Sequence, residues 1–177
     1  MKVLITGGAR ALAQTLAAHL LERGQLTDAG GRESRIDRIV MLDVPAVEKS
    51  ADKRIRRVSG RPDDPSLLGE LIDADFAVIF DLTTVGAVAG VTLESIALLI
   101  EIIRETGHRP KLVIGTTLAL DEDALPVLRA THDNAIDGRV LRLATPVDES
   151  SDAVAAQLVH ASEATASTLG DQRFMTV

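Results

Sequence analysis

The residues best placed to do chemistry sit just after apolar runs. Thr6-Gly7-Gly8-Ala9-Arg10-Ala11 follows Lys2-Val3-Leu4-Ile5 and opens an Ala/Leu-rich stretch. A strand, a glycine turn and a helix in that order put a helix N-terminus beneath an anion such as a phosphate. Gly7 and Gly8 let the backbone turn sharply and approach the ligand. The peptide N–H groups of Arg10, Ala11 and Leu12 then face it. The competing reading is a plain strand-to-helix turn that uses glycine. Asp43 ends the next apolar run. There a carboxylate would accept both ribose hydroxyls of an adenosine and favour NAD over NADP; it reads equally as a turn aspartate. Arg10 pulls the other way. Its cation would pair with a phosphate, including the 2′-phosphate of NADP, or fill the groove a dinucleotide needs, or simply sit in solvent.

Other candidates are Gly60-Arg61, Asp81 to Thr84, Thr116-Thr117 and Thr145-Pro146, each just after an apolar run. Thr117 offers a hydroxyl to a substrate carbonyl, although paired β-branched residues are common at strand ends. Asp81 and Asp43 would make a carboxylate pair only if the fold joined them. His19, His108, His132 and His160 lack ligand spacing, so no metal site is expected. Asp121-Glu122-Asp123 reads as a helix N-terminal charge cluster.

Elements that position these groups alternate along the chain. Strands are expected over Lys2–Thr6, Arg38–Val44, Arg54–Ser59, Phe76–Leu82, Lys111–Thr116, Arg139–Ala144 and Gln172–Val177. Helices are expected over Ala9–Arg23, where Leu12, Leu16 and Leu20 share a face and Gly24 ends the run, and from Asp64 or Pro65 through Ile72. Further helices are expected over Ala87–Glu105, Asp121–Thr131 and Ser151–Thr168. Gln25–Arg35, rich in glycine and charge, reads as a loop. Alternating β and α with buried strands predicts one α/β domain over residues 1–177, a doubly wound, mainly parallel sheet with helices on both faces.

Bulk properties exclude several classes. The 177 residues are 46% hydrophobic and 25% charged, with a net charge of −7. That balance argues against a nucleic-acid partner, which needs a clustered basic face. No apolar run reaches membrane-spanning length, and glycine arrives too soon after Met1 for a secretory leader. With no cysteine there is no thiolate chemistry and no disulfide, so a cytoplasmic setting is expected. There is no Tyr or Trp, and the three aromatic residues are Phe. Such a composition reads as pruned or redesigned.

These segments resemble the extended short-chain dehydrogenase/reductase superfamily, in its NAD-dependent epimerase/dehydratase branch. The likeness rests on Met1 to Ala9, Ile39-Val40-Met41-Leu42-Asp43-Val44 and Asp64-Pro65-Ser66-Leu67-Leu68. It continues in Gly107-His108-Arg109-Pro110-Lys111-Leu112-Val113 and Asp137 to Leu143, with a weaker echo in Leu158-Val159-His160-Ala161. The resemblance implies a three-layer Rossmann-like fold and an NAD or NADP site at Gly7, Gly8, Arg10, Ala11, Leu12, Asp43, Arg61, Leu82 and Thr83. It also implies that Thr117 matches the family's catalytic Ser/Thr.

Several family positions differ. The Thr-Gly-Gly-x-Gly-x-x-Gly turn carries Arg10 and Ala13 at two glycine positions; in the frame Thr-Gly-x-x-x-Gly-x-Gly, the replacements are Ala11 and Ala13. The Gly-Asp pair after the third strand of the sheet is Gly60-Arg61, and the His/Asn-Leu-Ala-Ala run is Asp81-Leu82-Thr83-Thr84. The catalytic Tyr-x-x-x-Lys is missing between Leu120 and Ala135. The substrate subdomain is expected to be largely absent. The family dimerises through two long helices; Ala87–Glu105 matches the first and the second is missing, which leaves monomer and homodimer both open.

Three readings follow: a dinucleotide-binding domain without the family's redox catalysis, a ligand-free scaffold whose functional glycines became helix formers, and an active oxidoreductase whose base is Asp81 or comes from a partner chain.

Overall fold

A computed structural model describes residues 1–42, 50–86, 94–117, 136–143, 147, 151–163 and, for the backbone alone, 174–176. Strand β1, Lys2–Thr6, runs into helix α1, Ala11–Arg23. The helix starts two residues later than the apolar pattern predicts. Arg10 is its extended N-cap (φ −77°, ψ 149°), and the Arg10 N–H closes a turn onto the Gly7 carbonyl at 3.1 Å. At the other end Gly24 adopts φ +74° and its N–H returns to the Leu20 carbonyl at 2.9 Å. This is the left-handed stop that glycine provides.

The expected loop at 25–35 is instead a small antiparallel hairpin of β2, Gln25–Thr27, and β3, Glu33–Arg35. The Asp28 carboxylate closes its turn, accepting the N–H groups of Gly30 and Arg32 at 2.9 Å each. A charged, glycine-rich segment hid this pairing, because three-residue strands leave too little alternation to read.

Strands β4, Arg38–Leu42, and β5, Ile55–Val58, follow. Helix α2, Pro65–Leu71, begins at Asp64, whose side chain accepts from the Ser66 and Leu67 amides. Then come β6, Phe76–Asp81, α3, Glu94–Glu105, and β7, Lys111–Thr116. Strand β8, Asp137–Arg142, starts two residues before the expected Arg139. Its parallel register with β7 pairs Lys111 with Asp137 and carries Gly138 into the ladder despite that residue's low strand propensity. Helix α4, Asp152–Glu163, and β9, Phe174–Thr176, complete the described elements. The expected helix at 121–131, and the amino-terminal part of the one expected from Ala87, lie outside the described residues.

Among the described residues, seven strands form one parallel sheet in the order β5-β4-β1-β6-β7-β8-β9. Each face is apolar. Val3, Ile5 and Phe80 pack toward α1 and α4, while Leu4, Ile79 and Ile114 pack toward α2 and α3. Burial on both faces is why these strands read as unbroken apolar runs. The first three strands build outward from β1 to β5. The chain then returns to lay β6 on the other side of β1. The winding therefore reverses between β1 and β6, and in open parallel sheets ligands bind outside the strand carboxyl ends at such a point.

Candidate functional site

Two turns meet at this switch point. One joins β1 to α1 and the other follows β6. Gly7 has φ +72°, and a Cβ there would lie 2.9 Å from the Leu82 carbonyl carbon and 3.1 Å from the Thr83 nitrogen. Only a residue without a side chain lets the two turns meet. Gly8 donates its N–H to the Leu42 carbonyl at 2.7 Å, which ties the turn to the end of β4. Its own carbonyl accepts from Gln14 Nε2 at 2.7 Å. Gln14 Oε1 in turn accepts from the Arg57 guanidinium at 2.8 Å. A chain of side chains thus runs from the edge strand β5 to the glycine turn.

Arg10, the N-cap of helix α1, makes no capping bond with its side chain, and the first turn carries no acidic residue. Its partial positive end is not neutralised by a carboxylate of its own, a favourable setting for an anion. Arg10 is half-buried, Ala11 exposed and Leu12 fully buried in the core. Ala13, at a position the family fills with glycine, is also fully buried.

On the neighbouring strand, Asp81 is Thr6's partner in the ladder and is 1% exposed. Burial pushes its carboxyl above the usual carboxylate range. Two bonds to Oδ1, from Thr83 N–H at 2.8 Å and Thr83 Oγ1 at 2.6 Å, act in the opposite direction without offsetting it. The Thr6 hydroxyl is buried beside this group and acts on it in the same lowering direction as the Thr83 bonds. Leu82 is fully buried, and its N–H reaches the Thr6 carbonyl at 3.3 Å.

Thr117 stands one residue past β7. Its hydroxyl accepts the Gly86 N–H at 3.0 Å and donates to the Thr84 carbonyl at 3.1 Å. The fold therefore brings Gly7, Gly8, Arg10, Leu82 and Thr83 to the facing turns, with Thr117 bound to the far side of the β6 turn. Arg61 lies beyond β5, strongly exposed, with Nε and a terminal nitrogen on Asp63 at 2.8 and 2.5 Å. Asp43, Thr145-Pro146, Asp121 to Asp123 and His132 lie outside the described residues. His108 lies far from the switch point at the start of β7, where its Nε2 contacts the Phe76 carbonyl at 2.9 Å. Sequence reading missed Gln14, Arg57 and Gly86, and gave Thr84 no partner. Their roles rest on partners 6 to 43 residues away, and no local pattern signals them. Among the described residues, no three His, Asp or Glu side chains gather to hold a metal, and no helix is long and apolar enough to cross a membrane.

The glycine cradle and a first helical turn that carries no acidic residue fit a phosphate-bearing ligand at the switch point. The fold is the Rossmann-like fold found in solved epimerases and short-chain dehydrogenases. In sequence the chain is similar to the D-erythronate dehydrogenase of Cupriavidus necator, 37% identical over 137 residues. That match covers 71% of this chain and 41% of the relative, so the chain spans well under half of the curated protein it resembles. No protein-family profile matches the chain. Among solved structures, it superposes on a nucleoside-diphosphate-sugar epimerase from Agrobacterium tumefaciens with a TM-score of 0.76 at 16% identity, over 100% of this chain and 73% of the epimerase. A short-chain dehydrogenase from Burkholderia cenocepacia, solved with NADP, gives a TM-score of 0.58 at 14% identity, covering 99% and 87% of the two chains. WbmH from Bordetella bronchiseptica, solved with NAD+, gives 0.52 at 17% identity, covering 81% and 56%.

Proposed function

We propose that this chain is a dinucleotide-binding domain that holds NAD or NADP at the β1–α1 turn and does not perform its relatives' redox chemistry by the family's route. The observation that carries the binding half is the approach of Gly7 to the Leu82–Thr83 backbone at the switch point, beneath an α1 N-terminus with no acidic residue of its own. There the turn amides would cradle the pyrophosphate, with Arg10 beside it. Asp43 would meet the adenosine ribose, and Leu82 and Thr83 would wall the far side. When bound, the nicotinamide supplies a hydride acceptor or donor.

The second half rests on what this chain has to move a proton. It contains no Tyr. A threonine hydroxyl does not ionise near neutral pH, and that of Thr117 is engaged by Thr84 and Gly86. Asp81, the other candidate base, is 1% exposed and bonded to Thr83. These features support a silent site.

Titration with NADH and with NADPH, followed by cofactor fluorescence and melting temperature, tests the reading. A ligand at 100 times its dissociation constant adds about 2.7 kcal/mol of stability. The expected result is a shift with at least one cofactor and no turnover of hydroxy acids or nucleotide sugars. Silence with both cofactors would leave a ligand-free scaffold. Steady turnover abolished by Asp81→Asn would make the domain an enzyme with a non-standard base.

A further inference from the structure

We propose that Thr117 is a positioning residue for the β1–α1 turn and acts on it through the turn after β6. The inference stands on backbone geometry; only its ligand arm rests on the dinucleotide reading above.

The turn at 82–86 is held at both ends. At its start, Leu82 N–H bonds the Thr6 carbonyl and Thr83 bonds Asp81 Oδ1. In its middle, the Val85 N–H donates to the Leu82 carbonyl at 3.2 Å. At its end, one hydroxyl fixes the residues on either side of Val85. Thr117 Oγ1 donates to the Thr84 carbonyl at 3.1 Å and accepts from the Gly86 N–H at 3.0 Å. Thr84 Oγ1 adds a weaker strap to the Gly115 carbonyl at 3.4 Å.

The Val85 amide that Thr117 brackets is the donor that orients the Leu82 carbonyl. That carbonyl is the wall Gly7 meets, since its carbon and oxygen would lie 2.9 and 3.0 Å from a Cβ at Gly7. A continuous path of contacts therefore leads from the end of β7 to the glycine turn. It runs through Thr84 and Gly86, then Val85, then the Leu82 carbonyl. The single Thr117 proton is used on this path, and handing it to a reacting oxygen would release the Thr84 carbonyl. Without the hydroxyl, Val85 and Leu82 gain freedom to rotate, and the wall behind the phosphate turn loses its shape.

Thr117→Val keeps the side chain's size and removes both bonds, whereas Thr117→Ser keeps the oxygen. Hydrogen exchange read by mass spectrometry on peptides covering 4–12 and 82–87 is the direct test. In Thr117→Val, loss of these bonds is expected to speed exchange about tenfold in both peptides, with Thr117→Ser close to wild type. NADH affinity, measured well below the melting temperature, is expected to fall about tenfold in the same variant. If Thr117→Val fails to fold, Gly86→Ala strains the same clasp from the other end, because this residue sits at φ +62°, where a Cβ is disfavoured; the paired rise is expected there too. Faster exchange confined to 82–87, with the glycine turn unchanged, overturns the proposal. If the wild-type protein binds no dinucleotide, the function proposed above fails, and the exchange pattern still decides this one.

Discussion

Gly7 and Gly24 share nearly the same left-handed backbone, φ +72° and +74°, but Gly7 faces the Leu82 backbone where a Cβ would project and Gly24 faces open space. The pair separates two costs that glycine usually hides together. Replacing Gly24 with Ala incurs only the conformational penalty, about 1–2 kcal/mol. Gly7→Ala incurs that penalty and also pushes β1's turn off the β6 turn. It is expected to lose at least ~1 kcal/mol more than Gly24→Ala in urea denaturation, in the range of overpacked sites. Equal losses would show that the two turns yield easily.

Asp81 predicts an unusual pH dependence. Burial raises its folded pKa above the unfolded value of about 3.9. The folded state then binds this proton more tightly than the unfolded state. The associated stability is fully present below the unfolded pKa and is lost as pH rises through the folded one. Asp81→Asn removes the titration and can keep accepting from Thr83. It is expected to exceed wild type by ~1 kcal/mol or more near pH 7, a modest part of the cost of a buried charge. The gain should shrink toward about pH 4. Asp28 and Asp73, held below the usual range, act in the opposite direction and remain in both proteins.

Glu163, the last residue of α4, anchors the β2–β3 hairpin. Its two oxygens accept the Thr27 N–H and hydroxyl at 3.0 Å each, and Arg23 adds an ion pair at 3.1 Å. Glu163→Ala is expected to cost about 1.5–3 kcal/mol, the range for hydrogen bonds to a charged group. It should also speed amide exchange across 25–35, while Glu163→Gln recovers part of the loss. Unchanged exchange in the hairpin would show that its own turn suffices.

Asp64 caps α2 by accepting the Ser66 and Leu67 amides at 3.0 and 3.2 Å. For a helix of seven residues the cap is a large share of the local stability. Asp64→Ala is expected to cost about 1 kcal/mol, and Asp64→Asn much less. Denaturant midpoints of the two variants check this.

The sequence alone determined the alternation of elements and which residues they bury. Val3-Leu4-Ile5 and Leu112-Val113-Ile114 announce strands covered on both faces, and Asp64-Pro65 and Gly24 mark where helices begin and end. These signals are local: they depend on side-chain period and on backbone preferences within a few residues. They also placed the glycine turn at a strand end, which, with the likeness to epimerases and short-chain dehydrogenases, pointed to the switch point.

Only the tertiary structure decided what each polar group does there. Thr117 meets Gly86 across 31 residues of chain, Arg57 meets Gln14 across 43, and Glu163 meets Thr27 across 136. Such partners are chosen by the strand order and by the reversal between β1 and β6. That reversal sets Asp81 against Thr6 and Gly7 against Leu82. A hydroxyl or a carboxylate carries the same local signal whether it ends in solvent, in a clasp or buried. Its neighbours across the sheet settle which, because they supply or withhold the hydrogen bonds that a buried polar group needs.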